Sequence, residues 1–153
     1  MELSAQFHNL SEKIIRYLSN IAVKGQVLIL NDINLVRAKI GDPEFDSILS
    51  MAKLNAAAQE HRSSVIALKY IEELSLLFNR VKDFDVNYCI NLLNDFYVKS
   101  EVRTPVEIER YARDQFKELI DYMKVNRGEF GNNPKLVKLV ELMKKCHDKD
   151  SRG

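Results

Sequence analysis

The residues of this chain best suited to chemistry are two cysteines, three histidines and one row of side-chain amides. Cys89 lies in "KDFDVNYCINLLNDFY", residues 82–97. A nucleophilic thiol needs exposure and a cationic neighbour, and a ligating one needs further ligands at fixed spacing. The nearest cation in sequence, Lys82, is about two helical turns away. Val86, Cys89, Ile90, Leu93 and Phe96 recur at i, i+3, i+4, i+7 and i+10, one stripe of a helix. The spacing therefore predicts that Cys89 packs as a small apolar side chain.

Cys146 and His147 are neighbours, but adjacent helical side chains diverge by about 100°. As a metal site the pair lacks two ligands, and there is no CxxC spacing. His8, His61 and His147 are scattered, so each is expected to be solvated or packed. The chain has no GxGxxG, GxxxxGK[ST], HExxH or GxSxG motif. The expectation is a non-enzymatic protein with no catalytic residue, no metal site and no cofactor.

The side of the same helix away from Cys89 is polar. Asn87, Asn91, Asn94 and Asp95 fall at i, i+4, i+7 and i+8, with Asp83 or Asp85 as the helix cap. Amides offer donors and acceptors together, and Lys or Glu would serve a purely solvated face better. The row Asp85, Asn87, Asn91, Asn94 and Asp95 is the expected contact face for another protein, a second copy of the chain included.

A second surface is charged. Arg110, Arg113, Lys117 and Lys124 form one edge of the next helix, and Glu107, Asp114, Glu118 and Asp121 the other. Arg110–Asp114 and Lys117–Asp121 are spaced for i, i+4 pairing, which largely compensates the signs. Lys135 and Lys138 would extend the basic edge. RNA or DNA association through this edge is the second reading, weakened by the pairing and by the lack of interleaved aromatics.

The elements that carry these residues read as helices. The chain has 153 residues, 46% hydrophobic and 29% charged, with only 5 Gly and 3 Pro. That length fits one domain, and scarce breakers favour long uninterrupted elements. Net charge is +1, so no global field draws the chain to nucleic acid or membrane. No apolar run approaches the length of a membrane span. The first residues carry neither a basic nor an apolar signal region, and two unpaired thiols fit a reducing compartment. An intracellular location, cytoplasmic or nuclear, is expected.

The first helix is read from about Ser4 to Val23, ended by Gly25. Val27–Leu30 has the look of a strand, but Ile29, Ile33, Val36 and Ile40 keep helical spacing, and a lone strand has nothing to pair with; the stretch is read as helix. Asp42–Pro43 opens a third helix. This helix either breaks near His61–Ser64, with Ser63 or Ser64 as a new cap, or runs on through Leu68, Ile71, Leu74, Phe78 and Val81. Thr104–Pro105 with Glu107 reads as a capping box for a helix to Val125. Asn133–Pro134 opens a last one.

"FDVNYCINLLNDF" resembles a helix, with the turn entering it, of the integrase-binding domain of the lens-epithelium-derived growth factor family, a small helical partner-binding module. Phe84, Asp85, Val86, Asn87, Cys89 and Ile90 carry the likeness. The family's partner-binding carboxylate, three residues before the aspartate that matches Asp85, is replaced by Lys82, so that role does not transfer. The following basic helix of the family has no clear counterpart.

The expected fold is all-α: a compact single-domain bundle of six to seven amphipathic helices over residues 1–146, followed by a flexible tail, 147–153. The expected function is a protein–protein interaction domain of adaptor or scaffold type.

Overall fold

The computed structural model describes residues 5–81 and 85–126, and every regular element in them is helical. The helix expected from Asn133–Pro134, the Cys146–His147 pair and the tail lie outside the described residues. Helix α1, Ala5–Lys24, buries Leu10, Ile14, Leu18 and Ile21, one stripe at steps of four, four and three. Gly25 follows it in tight contact with the next long helix. A Cβ there would overlap that of Ala67, so no larger residue fits without movement. The helix closes through two bonds, Val27 N–H to Ala22 O and Gln26 N–H to Val23 O. These form a Schellman turn with Gln26 at φ 60° in the left-handed position that glycine usually takes.

That turn corrects the reading of residues 26–40 as one helix. The chain leaves it as a 3₁₀ turn, Leu28–Leu30, and restarts as the short helix α2, Ile33–Lys39. Asp32 caps α2 by accepting from Asn34 N–H at 2.9 Å. Of the four residues read as one stripe, Val36 and Ile40 are buried, Ile33 is half-buried and Ile29 is exposed.

Helix α3, Pro43–Ala58, starts with Asp42 in the cap position and Pro43 first, as expected, although the Asp42 carboxylate makes no capping bond. Helix α4 runs from Arg62 to Val81, so the break near His61 is real. Neither Ser63 nor Ser64 is its cap. His61 is: its carbonyl accepts from Val65 N–H, and its Nδ1 accepts from Ser64 N–H at 3.3 Å. Helix α5 spans Val86–Lys99 and α6 spans Glu107–Val125.

α4 is the hub. It packs against α1, α3, α5 and α6, and α1 and α5 each also pack against α6. Leu68, Ile71, Leu74, Phe78 and Val81 are all buried in it. Tyr70 sits edge-on to Phe96 of α5 and Phe116 of α6, at 5.4 and 5.1 Å between centroids. Its hydroxyl donates to Glu109, whose carboxylate is 2% exposed and also accepts from Lys69. A buried carboxylate is tolerable only when bonded in this way. The described residues thus form an all-α bundle, and none of their helices is long and apolar enough to cross a membrane.

Candidate functional site

The outward side of α5 holds the amide row. Asn87, Asn91 and Asp95 are exposed, and Asn94 is half-buried. Asp85 stands apart from them in role: its carboxylate accepts from Tyr88 N–H at 2.8 Å, so it is the cap of α5. On the inward side Cys89 is 1% exposed, and burial pushes its thiol from 9.0 up to about 12. A thiol so placed is a poor nucleophile.

The basic edge loses one member. Arg113 turns inward, donates to Tyr97 O and Ser100 Oγ, both at 2.8 Å, and lies 4.1 Å over the Tyr97 ring. It satisfies one carbonyl of the last turn of α5. Arg110, Lys117 and Lys124 stay exposed. The expected Arg110–Asp114 and Lys117–Asp121 ion pairs do not form among the described residues. Instead the acids of α6 reach other helices: Glu107 to Lys24 at 2.9 Å and Glu109 to Lys69 at 3.2 Å. Glu107 is therefore not free to complete a capping box, and α6 begins at Glu107 with Val106 as cap, not at Pro105 with Thr104. Lys135 and Lys138 lie outside the described residues.

The feature that the spacing rules passed over is α3. Its inward residues Phe45, Leu49, Ala52 and Ala56 are buried, chiefly against α4. Its outward residues Ser47, Met51, Leu54 and Ala58 are exposed, and none carries a charge. Met51 is 57% and Leu54 72% exposed. A helix that is apolar on both sides is normally covered on both. The signal was in the sequence: "SILSMAKLNAAAQ", residues 47–59, contains one charge, Lys53. Lys53 points along the flank, ion-paired to Glu72 at 2.8 Å.

Further exposed apolar residues lie across a cleft from α3. Leu28, 77% exposed, and Ile29 project from the 3₁₀ turn. Between them and α3 lies a cleft of about 470 Å³, with Ala52, Asn55 and Ala56 along one wall. Its end is polar and rigidly built. His61 Nε2 is 3.1 Å from Gln26 Oε1, and Ser64 Oγ donates to Gly25 O at 3.0 Å while lying against His61 Nδ1. The second Schellman turn adds to this end: His61 N–H bonds Ala56 O and Glu60 N–H bonds Ala57 O, with Glu60 at φ 53°. His61 is thus a structural cap that joins the ends of α1, α3 and α4.

A second cavity of about 470 Å³ opens between α3, α4 and α5. Its walls are charged, with the Lys53–Glu72 pair across it. Half-buried Glu73 is held above the usual carboxylate range by burial, with Glu72 adding to the effect.

No protein-family model, curated protein or solved structure matches the chain. The likeness of residues 84–96 to the integrase-binding domain therefore rests on those residues alone.

Proposed function

We propose that this chain is a non-enzymatic helical protein–protein interaction domain, and that its principal contact surface is the outward side of α3 with the neighbouring Leu28–Leu30 turn. The observation that carries the reading is the exposure of Met51 and Leu54 on an uncharged helix face, with Leu28 and Ile29 exposed across the neighbouring cleft. Contiguous exposed apolar surface marks contact sites, and burying one Leu or Met side chain is worth roughly 1.5 to 3 kcal/mol. The amides of the α5 row have no such incentive, since water satisfies exposed amides about as well as a partner does; Val98, at the end of that face, is its one exposed aliphatic side chain. This moves the expected contact from Asn87, Asn91, Asn94 and Asp95 to α3. The non-catalytic part of the reading is supported by the packed thiol of Cys89 and by the commitment of His61 to capping. Association with nucleic acid is the lesser reading, because Arg113 is engaged by Tyr97.

Capture from the native source by immobilised protein tests the reading. The double variant Met51→Glu/Leu54→Glu should lose the specifically captured protein, and Asn91→Lys/Asn94→Lys should keep it. The opposite pattern restores the α5 face as the contact.

A further inference from the structure

The outward residues of α3 have a spacing that fits them to themselves. Ser47, Met51, Leu54 and Ala58 follow steps of four, three and four, the repeat by which paired helices interlock knobs into holes. The series is also nearly palindromic in size: small, large, large, small. Reversed and laid against itself, it sets Ser47 against Ala58 of the second copy and Met51 against Leu54 of the second copy. Both contacts occur twice about the dyad, as an isologous interface requires.

Charge permits this pairing. Nothing on the face between Ser47 and Ala58 is charged, and the flanking Lys53 is already paired with Glu72. Two copies therefore meet there without repulsion. The direction follows from the helix ends. A parallel pairing would align the two helix dipoles and bring Asp46 toward its own copy, Glu44 being already paired with Lys39. An antiparallel pairing opposes the dipoles and separates those carboxylates.

We propose that two copies of this chain associate through α3, antiparallel about a two-fold axis between Met51 and Leu54. The proposal rests on the reading above that the outward side of α3 is the contact surface, and it names the occupant. The outward stretch of α3 is about 18 Å long. A strip of that length on a helix about 10 Å across stays below the roughly 800 Å² per partner of a stable complex. The pairing is accordingly weak and appears only as concentration rises.

Sedimentation velocity over concentrations rising toward millimolar tests it. The wild-type chain should shift from monomer toward dimer. Leu54→Glu alone and Met51→Lys alone should each remain monomeric. An equimolar mixture of those two variants should associate again, because the introduced carboxylate of one faces the introduced ammonium of the other only in the antiparallel pairing. Both positions are exposed, so far-UV circular dichroism and the urea midpoint should match wild type and exclude misfolding as the cause. A wild-type chain that stays monomeric throughout overturns the proposal. So does association that ignores both variants, or that appears only after removal of residues 127–153, which would make that segment the occupant. A monomer whose captured partner is still lost in Met51→Glu/Leu54→Glu removes self-pairing alone. Capture that is also indifferent to those changes removes the α3 reading with it.

Discussion

Helices α3 and α5 both expose one full side, and the two sides differ in what exposure costs them. On α5, Asn87, Asn91 and Asp95 face solvent and exchange hydrogen bonds with water freely. On α3, Met51 and Leu54 hold apolar area in water and would gain by losing it. The inward sides are alike: Phe45, Leu49 and Ala52 of α3 and Val86, Cys89 and Leu93 of α5 are all buried. By that difference an apolar row with no neighbour among the described residues points to a contact more strongly than a polar row that water already satisfies.

The largest expected effect lies beneath the amide row of α5. Cys89 and Tyr70 are both held neutral up to about 12, each by burial first and then by a nearby carboxylate, Asp85 for the thiol and Glu109 for the phenol. Their folded values are raised above the unfolded ones, 9.0 and 10.0. The unfolded chain thus loses these protons first, and the stability tied to them is fully present below pH 9. It should be lost as pH rises through the window between about 9 and about 12. Urea midpoints measured across that window should fall, and Cys89→Ala should flatten the first part of the fall.

Next in size is the contrast between the two sides of α3. Leu49→Ala should cost about 2 to 5 kcal/mol of unfolding free energy by loss of core packing. Leu54→Ala, on the exposed side little more than a helical turn away, should stay within about 0.5 kcal/mol. Equal costs would mean that Leu54 is covered within the single chain, and would break the comparison.

The smallest effect divides the α5 row itself. Asp85→Ala removes a cap and should cost about 1 kcal/mol. Asn91→Lys should change stability by no more than about 0.5 kcal/mol. A large loss at Asn91 would show that the amide row is structural.

Much of the fold could be read from local pattern. The buried stripe of α4, the packed position of Cys89, the Asp85 cap and the end of α6 at Val125 all follow from periodicity and cap chemistry. Part of what failed depended on contacts distant in sequence. Arg113 looked like a member of a solvated edge because its acceptor, Tyr97 O, belongs to another helix. The Thr104–Pro105 start failed too: α6 begins at Glu107, whose carboxylate reaches Lys24 on α1. The single helix over residues 26–40 failed because Gln26 takes a left-handed conformation with no glycine to announce it. The candidate site was legible in another way. Its mark was a single charge, Lys53, across residues 47–59, which a search for reactive residues does not see.

Hydrogen exchange of the chain, compared between dilute and concentrated solution and again with its captured partner, tests the central claim most directly. Covering a helix face raises the free energy of its local opening and slows its amides. The account predicts slower exchange in residues 47–58 and around Leu28, with residues 87–98 unchanged. Slowing confined to residues 87–98, with α3 unaffected in every condition, would contradict it.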